Sequence, residues 1–188
     1  MTQEEVNFIY DSTRESMDAS LEHLQNELLK LRTGKASTAM LSGILVSYYG
    51  SMTPLNQVAN VSTADARTLV IQPWEKSMLG PVEKAIFEAN LGLTPQNDGE
   101  MIRINIPPLT EERRRDLVKK AKALGEDTRV GMRSARREAM DSIKQAVKDG
   151  YPEDAGKRSE EKVEEITKKY NEKINQILES KEKDIMTI

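Results

Sequence analysis

Thr-Arg-Val-Gly-Met-Arg-Ser-Ala-Arg-Arg-Glu-Ala, from Thr128 to Ala139, is the stretch on which the fold turns. Read as a helix at about 100° per residue, it puts Arg129, Arg133, Arg136 and Arg137 on one face. Thr128, Met132, Ala135 and Ala139 fall on another, and the two groups are centred roughly 115° apart. A helix that packs with one side and shows arginines on the other is suited to an anionic partner. Extended in both directions, the packing stripe runs through Leu117, Ala121, Leu124, Thr128, Met132, Ala135, Ala139, Ser142 and Ala146. This predicts one long helix from about Thr110 to Lys148, with Glu111 and Glu112 against its positive end. Gly125 and Gly131 weaken that helix, and close approach of a neighbouring helix is the expected gain.

Two further segments carry the same period. From Thr2 to Arg32, Val6, Ile9, Thr13, Met17, Ser20, Leu24, Leu28 and Leu31 recur at spacings of three and four. Thr2 and Glu5 form a capping-box pattern at its start. From Pro152 to Met186 the stripe is Val163, Ile166, Tyr170, Ile174, Ile177 and Ile185, with Pro152 suited to a first-turn position. Gly150 and Tyr151 leave only a short connection, so the second and third helices should be antiparallel neighbours. A single narrow apolar stripe cannot stabilise an isolated helix. An antiparallel three-helix bundle is the simplest way to bury all three.

Between the first two helices the period changes. Ile44 to Tyr49, Arg67 to Gln72 and Met101 to Ile106 read as strands, with Pro73 stopping the second. Pro81 to Asn90 reads as a short helix and Asn97-Asp98-Gly99 as a turn. The expected fold is α+β. Residues 1–33 and 108–188 form the bundle, and 34–107 form a small mixed, β/α/β sandwich-like insertion. The chain crosses between them at 33–35 and 106–108. Thr33, Gly34, Lys35, Pro107 and Pro108 are the candidate hinge, because glycine opens backbone conformations and prolines cannot continue a strand ladder.

Composition narrows the function. The chain has 188 residues, 31% of them charged and 4% aromatic, no cysteine and one histidine. Disulfides, thiolate zinc sites and cysteine nucleophiles are excluded. His23 has no second imidazole with which to build a metal site or triad, so no metal, cofactor or catalytic residue is expected. Trp74 reads as local packing, and the low aromatic content argues against stacking platforms for single-stranded nucleic acid. The Leu31–Ser37 stretch fails as a phosphate loop, since Leu29 stands where its first glycine belongs and Ala36 follows Lys35. No apolar run is long enough to span a membrane, and the acidic start lacks a signal peptide's basic end, so a cytoplasmic protein is expected.

Net charge is −3, but Thr110 to Lys148 holds twelve Lys/Arg against seven Asp/Glu. Ordinary helix surfaces mix Glu and Lys in i,i+4 pairs, whereas this face has four arginines in nine residues with only Glu138 close behind. The planar arginine fork suits phosphate oxygens, so the four arginines are candidate contacts to the backbone of a folded RNA, with Arg32 and Lys35 as possible secondary contacts. The alternative is a helical adaptor that binds a protein and leaves this face solvated.

Several motifs then converge. Leu-Arg-Thr-Gly-Lys-Ala at 31–36, Tyr-Tyr-Gly-Ser-Met-Thr-Pro-Leu at 48–55 and Glu-Lys-Ala-Ile at 83–86 are followed by Leu-Gly-Leu-Thr-Pro at 91–95. Pro-Pro-Leu-Thr-Glu-Glu-Arg-Arg at 107–114 and the arginine run at 129–137 complete the set. In order and spacing the chain resembles the bacterial ribosome recycling factors. The resemblance implies a two-domain, L-shaped monomer with roughly the outline of transfer RNA. It implies binding to the large ribosomal subunit after termination and, with elongation factor G and GTP, separation of the subunits. It places the family's key arginine at Arg136, with Arg129, Arg133 and Arg137 around it on ribosomal RNA, and has the inserted domain swing about the hinge. Lys35 departs from the arginine common there, and Ala89-Asn90 from a commoner Ser-Asp pair.

Overall fold

The computed structural model describes residues 1–187. In chain order the elements are α1 (Gln3–Leu29), β1 (Leu45–Tyr48), β2 (Ser51–Pro54), α2 (Leu55–Val58), β3 (Ala59–Asp65) and β4 (Thr68–Pro73). Then come α3 (Leu79–Glu88), β5 (Pro95–Asn97), β6 (Ile102–Asn105), α4 (Glu111–Lys148) and α5 (Glu153–Met186). Two compact units emerge, one from Met1–Leu31 with Glu112–Ile188, the other from Arg32–Glu111. The architecture is α+β, as the periodicities predict.

In the helical unit, Met17, Leu21, Leu24 and Leu28 of α1 pack with Ala121, Met132 and Ala135 of α4 and with Ile166, Tyr170, Ile174 and Leu178 of α5. Burying a side chain of this size contributes about 1.5–3 kcal/mol, which is how three narrow stripes sustain helices that would not form alone. The α4 helix runs antiparallel to both partners. Ser20 lies by Gly131 while Ile9 and Tyr10 pack against the cluster of Ala139, Met140, Ile143 and Val163, and Lys122 and Arg136 pair with Glu182 and Glu164. Gly125 sits where an added Cβ would collide with the Leu178 side chain, so the close approach expected from this glycine is present. At the end of α4, Gly150 takes φ +103°. Its N–H donates to the Val147 carbonyl at 3.1 Å, and the Tyr151 N–H donates to that of Ala146 at 2.9 Å. This paired closure satisfies two free carbonyls and turns the chain into α5.

The ends of α1 are also satisfied. Thr2 Oγ1 accepts from the Glu5 N–H at 3.2 Å, and the Thr2 N–H donates to Glu5 Oε2 at 2.6 Å, forming the predicted capping box. Just past its other end, the Leu31 carbonyl accepts from Lys181 Nζ at 3.3 Å. Burial holds the Lys181 ammonium below its ordinary pKa.

Three details differ from the sequence reading. Met140 and Ile143 carry the end of the α4 stripe, while Ser142 is exposed. Leu21 and Leu178 are buried in stripes assigned to Ser20 and Ile177. Pro152 lies outside α5 as its N-cap residue, at ψ 132°, instead of in the first turn. The extra buried side chains widen each seam, as a helix flanked by two neighbours requires.

The other unit holds a β1–β2 hairpin and a four-stranded antiparallel sheet in the order β3-β4-β6-β5. The α3 helix packs against β1 of the first and β5 of the second. Val46, Leu69, Ile71, Val82, Ile86, Ile102 and Ile104 fill the interior. The predicted strands appear as β1, β4 and β6, but β4 includes Pro73, paired with Ala59. Strands β2, β3 and β5 lie outside the sequence-predicted set. Along β3 only Ala59 is buried, so its alternation is invisible in the sequence.

Candidate nucleic-acid interface

The arginine face forms because α4 buries one side and α5 follows it back. Thr128, Met132, Ala135 and Ala139 point into the helical core, and Arg133 and Arg137 are exposed. Arg129 and Arg136 are half-buried along the α4–α5 seam. The structure therefore brings all four predicted arginines onto one surface of one unit, in two rows.

Their partners were not visible from α4 alone. Arg129 Nη2 donates to Asn175 Oδ1 at 2.7 Å, and its guanidinium lies 3.7 Å from Glu126. Arg133 Nη2 donates to Glu126 Oε1 at 2.9 Å. Arg136 crosses to α5, where its Nε donates to Glu164 Oε1 at 2.9 Å and its Nη2 donates to the same oxygen. Arg137 has no ion pair or side-chain hydrogen bond among the described residues. Arginine has five N–H donors, so Arg136 keeps three for another acceptor.

Charge follows geometry. The hydrogen bond from Arg136 holds the Glu164 carboxylate below its ordinary pKa and raises that of the guanidinium. The hydrogen bond from Arg133 likewise lowers Glu126. Both carboxylates stay ionised at neutral pH. The Arg136 and Glu164 side chains are 41% and 52% exposed, so solvent screens the pair. Exposed pairs of this kind contribute about 0–1 kcal/mol, and the donors left over can be shared with an incoming phosphate.

Around Arg136 and Arg137 the surface dips into an open groove of about 570 Å³. Met140 lines it, Lys144 and Lys157 add positive charge, and Asp141, Glu160, Glu161 and Glu164 add negative charge. The surface is thus a zwitterionic groove flanked by an arginine row, where the α4 sequence suggested a purely cationic face. The short α4–α5 turn is the signal that could have found Glu164 and Asn175, because it fixes which α5 residues face which α4 residues.

The remaining candidates lie in the Arg32–Glu111 unit. Arg32 is exposed, with its guanidinium close to Gly92. Thr33 and Lys35 are half-buried, and Pro107 and Pro108 are exposed. Gly34 takes φ +76° and lies against Leu109. On either side the two chain crossings are tied down by the Ala36 N–H to the Ala66 carbonyl and the Ile106 N–H to the Arg67 carbonyl, each at 2.7 Å.

Trp74 is 66% exposed, which corrects its reading as local packing. It borders a groove of about 640 Å³ with no charged lining residue, so that groove offers nothing to hold an anion. Beside it, Tyr48 and Tyr49 both donate to Glu75 at 2.9 Å. These bonds hold the Tyr49-Gly50 hairpin turn, in which both residues have positive φ.

Among the described residues, no three His, Cys, Asp or Glu side chains are placed to hold a metal ion. Among the same residues, no helix is long and apolar enough to cross a membrane.

The family model for ribosome recycling factor matches residues 24–186. The chain belongs to the ribosome recycling factor family. It is 51% identical over 185 residues to the ribosome-recycling factor of Flavobacterium johnsoniae, covering 98% of this chain and 99% of that one. Against the Cytophaga hutchinsonii ribosome-recycling factor it is 50% identical over 185 residues, covering 98% and 100%. A solution structure of a ribosome recycling factor matches at TM-score 0.81 and 40% identity over 100% of both chains. Another match, at TM-score 0.66 and 45% identity, covers 97% of this chain and 99% of the other. That structure is of the T. thermophilus ribosome recycling factor and the E. coli elongation factor G bound to the E. coli post-termination complex.

Proposed function

We propose that this chain is a translation factor that binds the large ribosomal subunit of the post-termination complex. With elongation factor G and GTP it separates the subunits, releasing ribosome, messenger and transfer RNA for another round. The observation that carries this reading is family membership over nearly the whole chain. The two-row arginine surface supplies a physical means of binding. The factor works as a cytoplasmic monomer and is not itself an enzyme, GTP hydrolysis belonging to elongation factor G.

Arg129, Arg133, Arg136 and Arg137 contact ribosomal RNA through phosphate oxygens, with Arg136 central and Arg32 and Lys35 secondary. Phosphate contact of this kind releases counterions, so binding weakens steeply as salt rises. Residues 1–33 and 108–188 act as the bundle domain. Residues 34–107 act as the inserted domain, which moves about Thr33, Gly34, Lys35, Pro107 and Pro108. Positive φ at Gly34 supports this choice of pivot, because few other residues adopt that backbone.

The direct test is subunit splitting. Purified post-termination ribosomes with elongation factor G and GTP should separate when this protein is added and stay joined without it. No splitting at saturating protein would contradict the proposal. The adaptor alternative predicts partner capture that survives ribonuclease, whereas the ribosomal reading predicts its loss.

A further inference from the structure

We propose that Glu164 is a positioning residue for anion binding by Arg136: it fixes the Nε edge of the guanidinium on α5 and leaves the remaining donors free for a phosphate. The inference rests on the arginine-face reading above. Both bonds from Arg136 end on one Glu164 oxygen. Among the described residues, no other carboxylate lining the groove bonds an arginine. The neighbouring Arg137 has no such support, so its long side chain must be ordered by the RNA itself. Arg136 is already ordered by a neighbouring helix, and a pre-oriented fork loses less freedom when it closes on a phosphate.

The proposal opposes simple electrostatics. Glu164 is a half-exposed negative charge beside a surface for a polyanion. On charge alone, removing it should strengthen RNA binding. As a positioning residue, its removal should weaken binding, because Arg136 is released to solvent.

The experiment measures affinity for purified large ribosomal subunits at one near-physiological salt concentration. It uses the full-length protein, Glu164→Ala, Glu164→Gln, Arg136→Ala and the Arg136→Ala/Glu164→Ala pair, each checked for helix content by circular dichroism. Glu164→Ala should weaken binding about five- to tenfold, the loss of a misaligned charge-assisted contact. Glu164→Gln should stay within about twofold of the parent, because its amide oxygen still accepts both bonds. In the Arg136→Ala background, Glu164→Ala should have no further effect, which a general structural role would not predict. Equal or tighter binding by Glu164→Ala, alongside weaker binding by Arg136→Ala, would overturn the positioning role alone. Unchanged binding by Arg136→Ala would overturn the arginine-face reading and this inference with it.

Discussion

The two units of this chain fill their interiors with different chemistry. In the α/β unit the fully buried side chains are aliphatic, with Leu69 and Ile71 on β4 facing Ile102 and Ile104 on β6. In the helical unit, Met17, Leu24, Met132, Ile143 and Ile174 alternate with alanines, with Gly125 and Gly156, and with buried hydroxyls. Those hydroxyls are satisfied locally. Thr13, Thr128, Ser159 and Thr167 donate to the carbonyls of Ile9, Leu124, Ala155 and Val163 at 2.7, 2.9, 3.0 and 2.9 Å. Small residues and self-satisfied hydroxyls let long helices approach closely without leaving those hydroxyls unpaired. That closeness brings Arg136 of α4 within hydrogen-bonding distance of Glu164 on α5. The sheet unit packs aliphatic side chains against one another, while the bundle packs its helices closely enough for surface side chains of α4 and α5 to pair.

Truncating the aliphatic core should give the largest effect. Ile102→Ala should remove about 3–4 kcal/mol from the α/β unit, the transfer and cavity cost of a fully buried side chain. Urea unfolding followed by the emission of Trp74, the single tryptophan and a member of that unit, reads the loss. A change below about 1 kcal/mol would show that the aliphatic interior is not what holds this unit.

Next in size is the titration of Tyr170. Its hydroxyl donates to Asp18 at 2.6 Å, and burial, then the bond and charge of Asp18, push its pKa up to about 12. The folded value exceeds the unfolded one, near 10, so ionisation favours unfolding. The contribution is present in full below about pH 10 and is lost as pH rises to about 12, a fall of about 2–3 kcal/mol. Helix content followed in urea between pH 9 and 12 should show this fall in the parent relative to Tyr170→Phe. Parallel curves would remove Tyr170 as the cause.

The smallest effect should come from a bundle hydroxyl. Thr167→Val keeps the shape and removes a bond that competes with the helix's own ladder, so stability should change by about 0.5 kcal/mol or less. A loss above about 2 kcal/mol would mean that the hydroxyl serves the core in a way its contact with Val163 does not show.

Much of this could be read from the sequence where one helix supplies the whole signal. The Thr2 and Glu5 cap, the α4 stripe and the grouping of Arg129, Arg133, Arg136 and Arg137 depend on neighbours within a few turns. Legibility stopped where two elements must be combined. Glu164 and Asn175 are ordinary polar positions on α5 until the turn at Gly150 sets them against α4. Strand β3, mostly Asn, Ser, Thr, Ala and Asp, becomes a strand through its ladder with β4 and not through any apolar alternation. Trp74 reads as packing but stands exposed, because a lone aromatic between a proline and a glutamate gives no sign of which way it faces.

The proposed function puts ribosomal RNA on the α4 arginine surface, with Arg136 at its centre. Affinity of Arg136→Ala for purified large subunits at near-physiological salt tests it most directly. Loss of a charge-assisted phosphate contact should weaken binding by about tenfold or more and reduce the salt slope by about one, with the circular dichroism spectrum unchanged. Parental affinity and parental salt dependence in a folded Arg136→Ala protein would contradict the account.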